Sequence, residues 1–137
     1  MKSIVFPLKN KKNEIISFYF RSIVNDDKVT HFYLKNRSGI YPTYPKSDTK
    51  KLILTEAIID AASFLQIKKI AENYSIISCF GTNGLNDEIL QVIKELKELE
   101  EIIFCFDNDD AGKKAVKKFE DFKNYKLSTV EMDLGYN

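Results

Sequence analysis

The sequence predicts an α/β protein in which a small antiparallel β lobe precedes a parallel sheet of four strands. Two observations support this class. Up to residue 50, runs rich in β-branched and aromatic residues alternate with polar turns, as in an antiparallel meander. From residue 51 onward, short apolar runs alternate with segments of helical spacing, beginning and ending with a strand. That alternation is typical of parallel sheets with helices on both faces.

Residues 1–50 form the predicted lobe. Its expected elements are strands at 4–8, 14–24 and 29–34, with polar turns at 9–13 and 25–28. Pro7 has no backbone N–H to donate, so we expect the first strand at an edge of its sheet. Residues 36–50 contain Gly39 and two prolines and are predicted to form a linker loop.

Residues 51–137 form the second predicted domain. Its expected elements are strands at 51–55, 75–80, 101–106 and 127–132 and helices at 56–73, 86–98 and 111–122. The second helix has the clearest start signal, because Asn86 can cap it and Asp87 and Glu88 suit its positive N-terminal end.

The composition excludes several classes of protein. The chain has 137 residues, of which 44% are apolar and 30% charged, close to the globular average. Its longest apolar runs are about five residues, too short to span a bilayer, so we expect a cytoplasmic protein with no membrane contact. Cys79 and Cys105 lack the spacing of a zinc site, and a single histidine, His31, argues against a serine-hydrolase triad.

Charge is unevenly distributed along the chain. Residues 1–51 carry 11 Lys and Arg against 4 Asp and Glu, whereas residues 52–137 carry 10 against 16. A basic front suits a polyanionic partner, and an acidic back suits a site built from carboxylates. Uneven solvation of two surfaces would give the same balance.

Acidic residues follow the predicted parallel strands where function usually lies, at their carboxyl ends. Glu56 follows the first strand, with Asp60 one helical turn later, and Asp107 and Asp109 follow the third. On neighbouring strands about 4.8 Å apart, two carboxylates repel by about 3–4 kcal/mol at an effective dielectric of about 20. An all-oxygen cluster suits Mg²⁺ or Mn²⁺, ions that serve nucleotidyl transfer. The alternative is that these acids are helix caps and surface charge.

Other nucleotide-binding patterns are absent. The chain contains neither G-x-G-x-x-G nor a P-loop. A receiver domain would need an acidic pair after its first strand, where this chain has only Glu56. Gly81 and Thr82, after the second strand, either place backbone N–H groups near a phosphate or form a plain turn.

Three segments resemble the Toprim domain, the metal-binding catalytic module of bacterial-type DNA primases, topoisomerases and some nucleases. They are LILTE at 52–56 with Asp60, FGT at 80–82 and FDNDDAG at 106–112. Three further segments resemble the part that precedes Toprim in bacterial-type primases. They are VFPL at 5–8, ISFYFR at 16–21 and YLKNR at 33–37, with Tyr41.

The resemblance implies a fold, a site and an activity. The fold is a sheet in which the first strand lies between the second and the third, with the fourth outermost (order 2-1-3-4). The site is a divalent metal, Mg²⁺ or Mn²⁺, held by Glu56, Asp107 and Asp109 as the catalytic residues, with Asp60 in support. The activity is attack of a ribonucleotide 3′-hydroxyl on a nucleoside triphosphate. Arg21 and Lys35 would face the template or the incoming nucleotide.

Nucleic acid and nucleotides are therefore the expected partners. The candidate contacts are Arg21, Lys35, Arg37, Lys50 and Lys51, because phosphates need cations, together with Gly81 and Thr82. Eight aromatic residues among the front cations suit either the stacking of unpaired bases or the filling of a small β core.

The resemblance also implies single-stranded DNA as template, ribonucleoside triphosphates as substrates, and a replicative helicase contacted through regions that this chain lacks. The primase pattern has a further acidic pair after the fourth strand, and this chain ends before it, so we expect a truncated Toprim domain that is inactive alone. A Toprim-type metal-dependent nuclease and a non-catalytic nucleic-acid-binding module are the alternatives.

Overall fold

The structure, a computed structural model, describes residues 2–24, 31–34, 38–79, 86–107, 113–114, 117 and 124–130. The chain divides into two compact units, Met1–Tyr44 and Pro45–Asn137. This division lies before residue 50, because the segment leading to residue 51 is bonded to the second unit. The hydroxyls of Thr49 and Ser75 are 2.7 Å apart, and the carbonyl of Lys50 accepts a 2.8 Å hydrogen bond from the N–H of Glu100.

The first unit is an antiparallel sheet of β1 (Ser3–Lys9), β2 (Ile15–Ser22) and β3 (His31–Tyr33) in the order β1-β2-β3. The predicted edge position of the strand that carries Pro7 is confirmed. The predicted turn after β1 is closed by Asn10, whose Oδ1 accepts hydrogen bonds from the N–H groups of Lys12 (2.9 Å) and Glu14 (3.0 Å).

The two faces of this sheet differ in burial. Alternation along the paired strands puts Phe6, Leu8 and Tyr19 on one face, where all three are buried. The other face carries Val5 and Phe18, which are 47% and 37% exposed. Its further aromatic side chains are Phe20 and Phe32, which stack at 4.5 Å between ring centroids. Aromatic side chains therefore contribute to a small core on one face of the sheet, whereas those on the other face are less buried.

Part of the predicted linker loop is structured. Lys9 and Ile40 exchange two backbone hydrogen bonds of 3.0 and 2.8 Å, and the Ile40 side chain is fully buried. Gly39 next to it has φ +103°, and a Cβ added there would lie 2.9 Å from the Cβ of Leu8. Both the backbone angle and the close approach require glycine at this position.

The second unit is a parallel sheet with helices between its strands. Its elements are β4 (Lys51–Thr55), α1 (Ile58–Leu65), α2 (Lys68–Asn73), β5 (Ser75–Ser78), α3 (Asp87–Glu95), β6 (Glu101–Cys105) and β7 (Lys126–Thr129). The order β5-β4-β6-β7 is the order that the resemblance implies, so the fold class is confirmed. The chain steps from β4 to β5 and then back past β4 to β6. Right-handed crossovers therefore place α1 and α2 on one face and α3 on the other.

The core of this unit is centred on β4. Leu52 and Leu54 on one face of β4 have no exposed surface, and Ile53 on the other face is 5% exposed. The neighbouring strands and helices contribute further side chains that are at most 1% exposed, among them Ile58, Ile77, Ile89, Ile93, Ile102 and Phe104. Helix α3 begins as predicted, because Asn86 Oδ1 accepts a 3.0 Å hydrogen bond from the N–H of Ile89. The strand between two others is thus apolar on both faces, as parallel strands usually are.

One predicted helix is wrong. The segment 56–73 forms two helices, since Ile67 is extended (φ −94°, ψ 105°) and separates α1 from α2. No glycine or proline marks the break, so the sequence carried no stop signal there. The predicted helix at 111–122 falls mostly outside the described residues, although Lys113, Lys114 and Lys117 are helical. Within the described part of the chain, no helix is long and apolar enough to cross a membrane.

Leu54→Ala should destabilise the protein strongly. The side chain is fully buried in the central strand, so its loss removes apolar contacts and leaves a cavity, which costs about 2–5 kcal/mol. Urea unfolding gives the free energy. Val5→Ala, at a 47% exposed position, is the control and should cost less than about 1 kcal/mol. Equal losses in the two variants would contradict the assignment of the core.

Candidate active site at the carboxyl edge of the sheet

The carboxyl end of β4 lies between the ends of β5 and β6. The N–H of Cys79 donates to the carbonyl of Thr55 at 2.8 Å, and the N–H of Glu56 donates to the carbonyl of Cys105 at 3.4 Å. Glu56 is therefore flanked by both neighbouring strands, and Asp107 lies two residues beyond the last residue of β6. The structure brings these two predicted residues to adjacent strand ends.

The two carboxylates start from opposite faces of the sheet. Parallel register pairs Thr55 with Ser78 and Cys105, so the next residues, Glu56 and Cys79, share a face. Asp107 follows the alternation of Cys105, on the other face. Side chains from the two faces can meet only above the edge of the sheet, beyond the strand ends, which is where an ion would have to lie.

Two buried thiols beside the carboxyl edge have raised pKa values, and a nearby carboxylate contributes to each shift. Burial, and secondarily the Glu56 carboxylate, raise the pKa of Cys79 to about 12. Burial, and secondarily the Asp60 carboxylate, raise the pKa of Cys105 to about 11. The Glu56 charge is thus felt beside β5 and the Asp60 charge beside β6. Both thiols stay neutral near pH 7, as expected for free cysteines in a core.

The chemistry of the donors fits a hard divalent cation. Glu56, Asp60 and Asp107 offer carboxylate oxygens, the ligands that Mg²⁺ and Mn²⁺ prefer. The Glu56 side chain is half-buried. Its Oε1 atom is buried and accepts no hydrogen bond from the described residues, although the residue as a whole has other interactions. Burying charge is costly unless another charge compensates it.

The described residues alone do not complete a metal site. Among them, no group of three or more Asp, Glu, His or Cys side chains is close enough to hold an ion. Asp109, the third predicted metal ligand, lies outside the described residues. The other predicted contacts that also lie outside are Lys35, Arg37, Gly81 and Thr82.

The predicted basic contacts that the structure describes are elsewhere. Arg21 lies in β2 of the first unit, exposed, in register with Ile4 and His31. Lys50 precedes β4 and Lys51 is its first residue, so five residues of strand, about 16 Å, separate Lys51 from Glu56. The two lysines line a groove at the amino edge of the sheet together with residues that the sequence did not single out, among them Lys69 and Tyr74.

The family is decided by a comparison with known proteins. A family model described as Toprim-like matches residues 53–133, which is more than half of the chain and includes the whole carboxyl edge. The chain belongs to the Toprim-like family. Glu56, Asp60, Asp107 and Asp109 all lie within the matched part of this Toprim domain.

Curated relatives of the Toprim domain and its lobe are DNA primases. The primase of Borreliella burgdorferi is 31% identical over an alignment of 148 residues, which covers 96% of this chain and 26% of the relative. The primase of Buchnera aphidicola subsp. Baizongia pistaciae is 30% identical over 123 residues, covering 82% of this chain and 20% of the relative. The chain thus spans about a quarter or less of the length of these relatives.

Solved structures share the fold of the whole chain. The E. coli primase catalytic core matches with a TM-score of 0.73 at 18% identity, over 98% of this chain and 46% of that structure. The primase fragment of the bacteriophage T7 primase-helicase protein matches with a TM-score of 0.69 at 20% identity, over 93% and 53%. The lobe and the Toprim domain therefore occur together in primase structures, as the resemblance implied.

Cys79 and Cys105 should be almost unreactive in the folded protein. Both are buried, and their raised pKa values leave very little thiolate at pH 8. Titration with Ellman's reagent should detect two thiols in urea and almost none without it. Ser47→Cys, at an exposed turn, is the control and should add one rapidly reacting thiol. Rapid reaction of both native thiols would contradict the packing at the carboxyl edge.

Proposed function

We propose that this chain is the Toprim catalytic part of a DNA primase. One observation carries the proposal: β4 and β6 are adjacent and parallel, so Glu56 and Asp107 end on neighbouring strands. Glu56, Asp107 and Asp109 would hold Mg²⁺ or Mn²⁺, with Asp60 in support. A divalent ion bound there supplies charge neutralisation for an attacking hydroxyl and for the phosphates of a nucleotide.

The rest of the proposed activity follows from the relatives. Because they are DNA primases, we infer synthesis of RNA primers on single-stranded DNA from ribonucleoside triphosphates, in the cytoplasm. A structural neighbour is a primase-helicase protein, which supports a replicative helicase as a partner, contacted outside the matched region. Within this scheme, residues 1–50 act as the basic lobe of the polymerase core and residues 51–137 as the Toprim domain.

Simple assays distinguish the proposed primase function from the two alternatives, a nuclease and a non-catalytic binding module. A Toprim-type nuclease would cleave DNA when a divalent metal is added, and the wild-type chain should not. A non-catalytic binding module would carry its acids as caps and surface charge, so Mn²⁺ would not stabilise it. The pairing of primase-like lobe and Toprim domain favours the primase function over both.

Asp107→Asn should stabilise the metal-free protein and abolish stabilisation by metal. Removing one carboxylate relieves repulsion at the carboxyl edge, by about 1 kcal/mol after solvent screening. Thermal unfolding in EDTA should give a higher Tm for the variant, whereas titration with Mn²⁺ should raise the Tm of the wild type only.

The controls for this experiment are two further variants. Glu56→Gln should also lose the response to Mn²⁺, whereas Asp48→Asn, at an exposed turn, should respond as the wild type does. A wild-type Tm that does not change with Mn²⁺, or a variant Asp107→Asn that still responds, would refute the metal site.

Arg21→Ala should weaken binding of single-stranded DNA. The side chain is exposed in β2, where its cation can reach a phosphate, so its loss should reduce the slope of log K against log salt by about one. Fluorescence anisotropy at several salt concentrations measures the slope. Lys12→Ala, at an exposed turn of the same sheet, is the control and should leave it unchanged. An unchanged slope for Arg21→Ala would remove this residue from the proposed interface.

A further inference from the structure

A groove of about 570 Å³ lies at the amino edge of the parallel sheet, away from the carboxylates. Its polar lining consists of Lys50, Lys51, Lys69, Asn73, Tyr74 and Glu100. The volume is within the range of sites that hold small molecules, about 300–1,000 Å³. Three lysines, a tyrosine and an asparagine therefore line a space large enough for a nucleotide.

The backbone holds this groove in place. The carbonyl of Lys50 accepts hydrogen bonds from the N–H groups of Glu100 (2.8 Å) and Glu101 (3.1 Å), which ties the start of β4 to the start of β6. The Lys51 ammonium lies 5.7 Å from the centroid of the Tyr74 ring, a cation–π contact. The cations therefore project from strand and helix ends of fixed position.

The charge balance of the groove is positive. Its lining contains three lysines and one acid, Glu100. The neighbouring acid Glu101 is engaged with β7, since its carboxylate accepts a 2.6 Å hydrogen bond from Ser128 and lies 3.6 Å from the Lys126 ammonium. That hydrogen bond, together with the nearby Lys126 and Lys51 charges, lowers the pKa of Glu101. An anion in the groove thus meets more positive than negative charge.

We propose that the groove at the amino edge binds a nucleotide unit, with its phosphate on Lys50, Lys51 and Lys69 and its base against Tyr74. Lysines compensate phosphate charge, and an aromatic ring offers a face for a base. The Asn73 amide, which donates a 2.6 Å hydrogen bond to the Lys69 carbonyl, has a side-chain oxygen that can accept from a base edge.

This site goes beyond the proposed primase chemistry. It uses none of the carboxylates, and β4 separates it from Glu56 by about 16 Å. The nucleotide can come from two sources, a free nucleoside triphosphate or a unit within a single strand. The chemistry of recognition is the same for both.

The test measures binding of a fluorescein-labelled oligothymidylate to the full chain in EDTA, in both the wild type and Asp107→Asn. Lys69→Glu should weaken binding several-fold and lower the salt slope by at least about 0.7, the value for one phosphate contact on a single strand. Lys94→Glu is the matched control, because Lys94 is an exposed helix lysine outside the groove, and it should change binding less than twofold. Circular dichroism checks that each variant is folded. If Lys69→Glu does not fold, the double variant Lys50→Gln/Lys51→Gln is measured in its place.

The outcomes are distinct. If Lys69→Glu weakens oligothymidylate binding and Lys94→Glu does not, the groove is supported as the binding site. If ATP then displaces the oligonucleotide, the site takes free nucleotides; if ATP does not displace it, the site takes a unit of a single strand. Equal weakening by Lys69→Glu and Lys94→Glu, no effect of either, or no binding by the wild type overturns the proposal. Retained binding by Asp107→Asn keeps this result independent of the metal site, which the Mn²⁺ titration tests separately.

Discussion

The position of β4 between β5 and β6 is the constraint on which the rest of the second unit depends. Leu54 on one face of this strand and Ile53 on the other are both buried, and parallel register on both sides fixes where its ends lie. One end delivers Glu56 next to the strand that leads to Asp107, and the other delivers Lys50 and Lys51 to the start of the sheet. If β4 were an edge strand, Glu56 would end beside a single neighbouring strand.

The sheet of the first unit differs from the parallel sheet because it is buried on one face only. Phe6, Leu8 and Tyr19 form its core, and Gly39 allows the chain to pass close enough to Leu8 for Ile40 to add a further bridge. Phe18 on the opposite face remains partly exposed. This lobe and the Toprim domain also occur together in the matching primase structures.

Periodicity and end signals in the sequence were sufficient to predict most elements, including the Asn86 cap and the edge strand with Pro7. The order of the parallel strands came from the resemblance, because apolar runs do not state which strands are neighbours. The break at Ile67 was missed because no glycine or proline marks it. Lys50 and Lys51 lie at the start of the predicted strand that Glu56 follows, so the sequence was sufficient to predict the separation of these lysines from Glu56. Their convergence with Lys69 and Tyr74 was not, because it depends on where α2 ends.

The length of β4 has an electrostatic consequence. At physiological ionic strength the Debye length is about 8 Å, so charges about 16 Å apart, as at the two ends of this strand, are two screening lengths apart. Salt ions in the solvent, rather than the buried strand, provide this screening, so it acts where the charges at the two ends are exposed. Binding of a dication by the carboxylates would then change the potential at the exposed lysines only weakly.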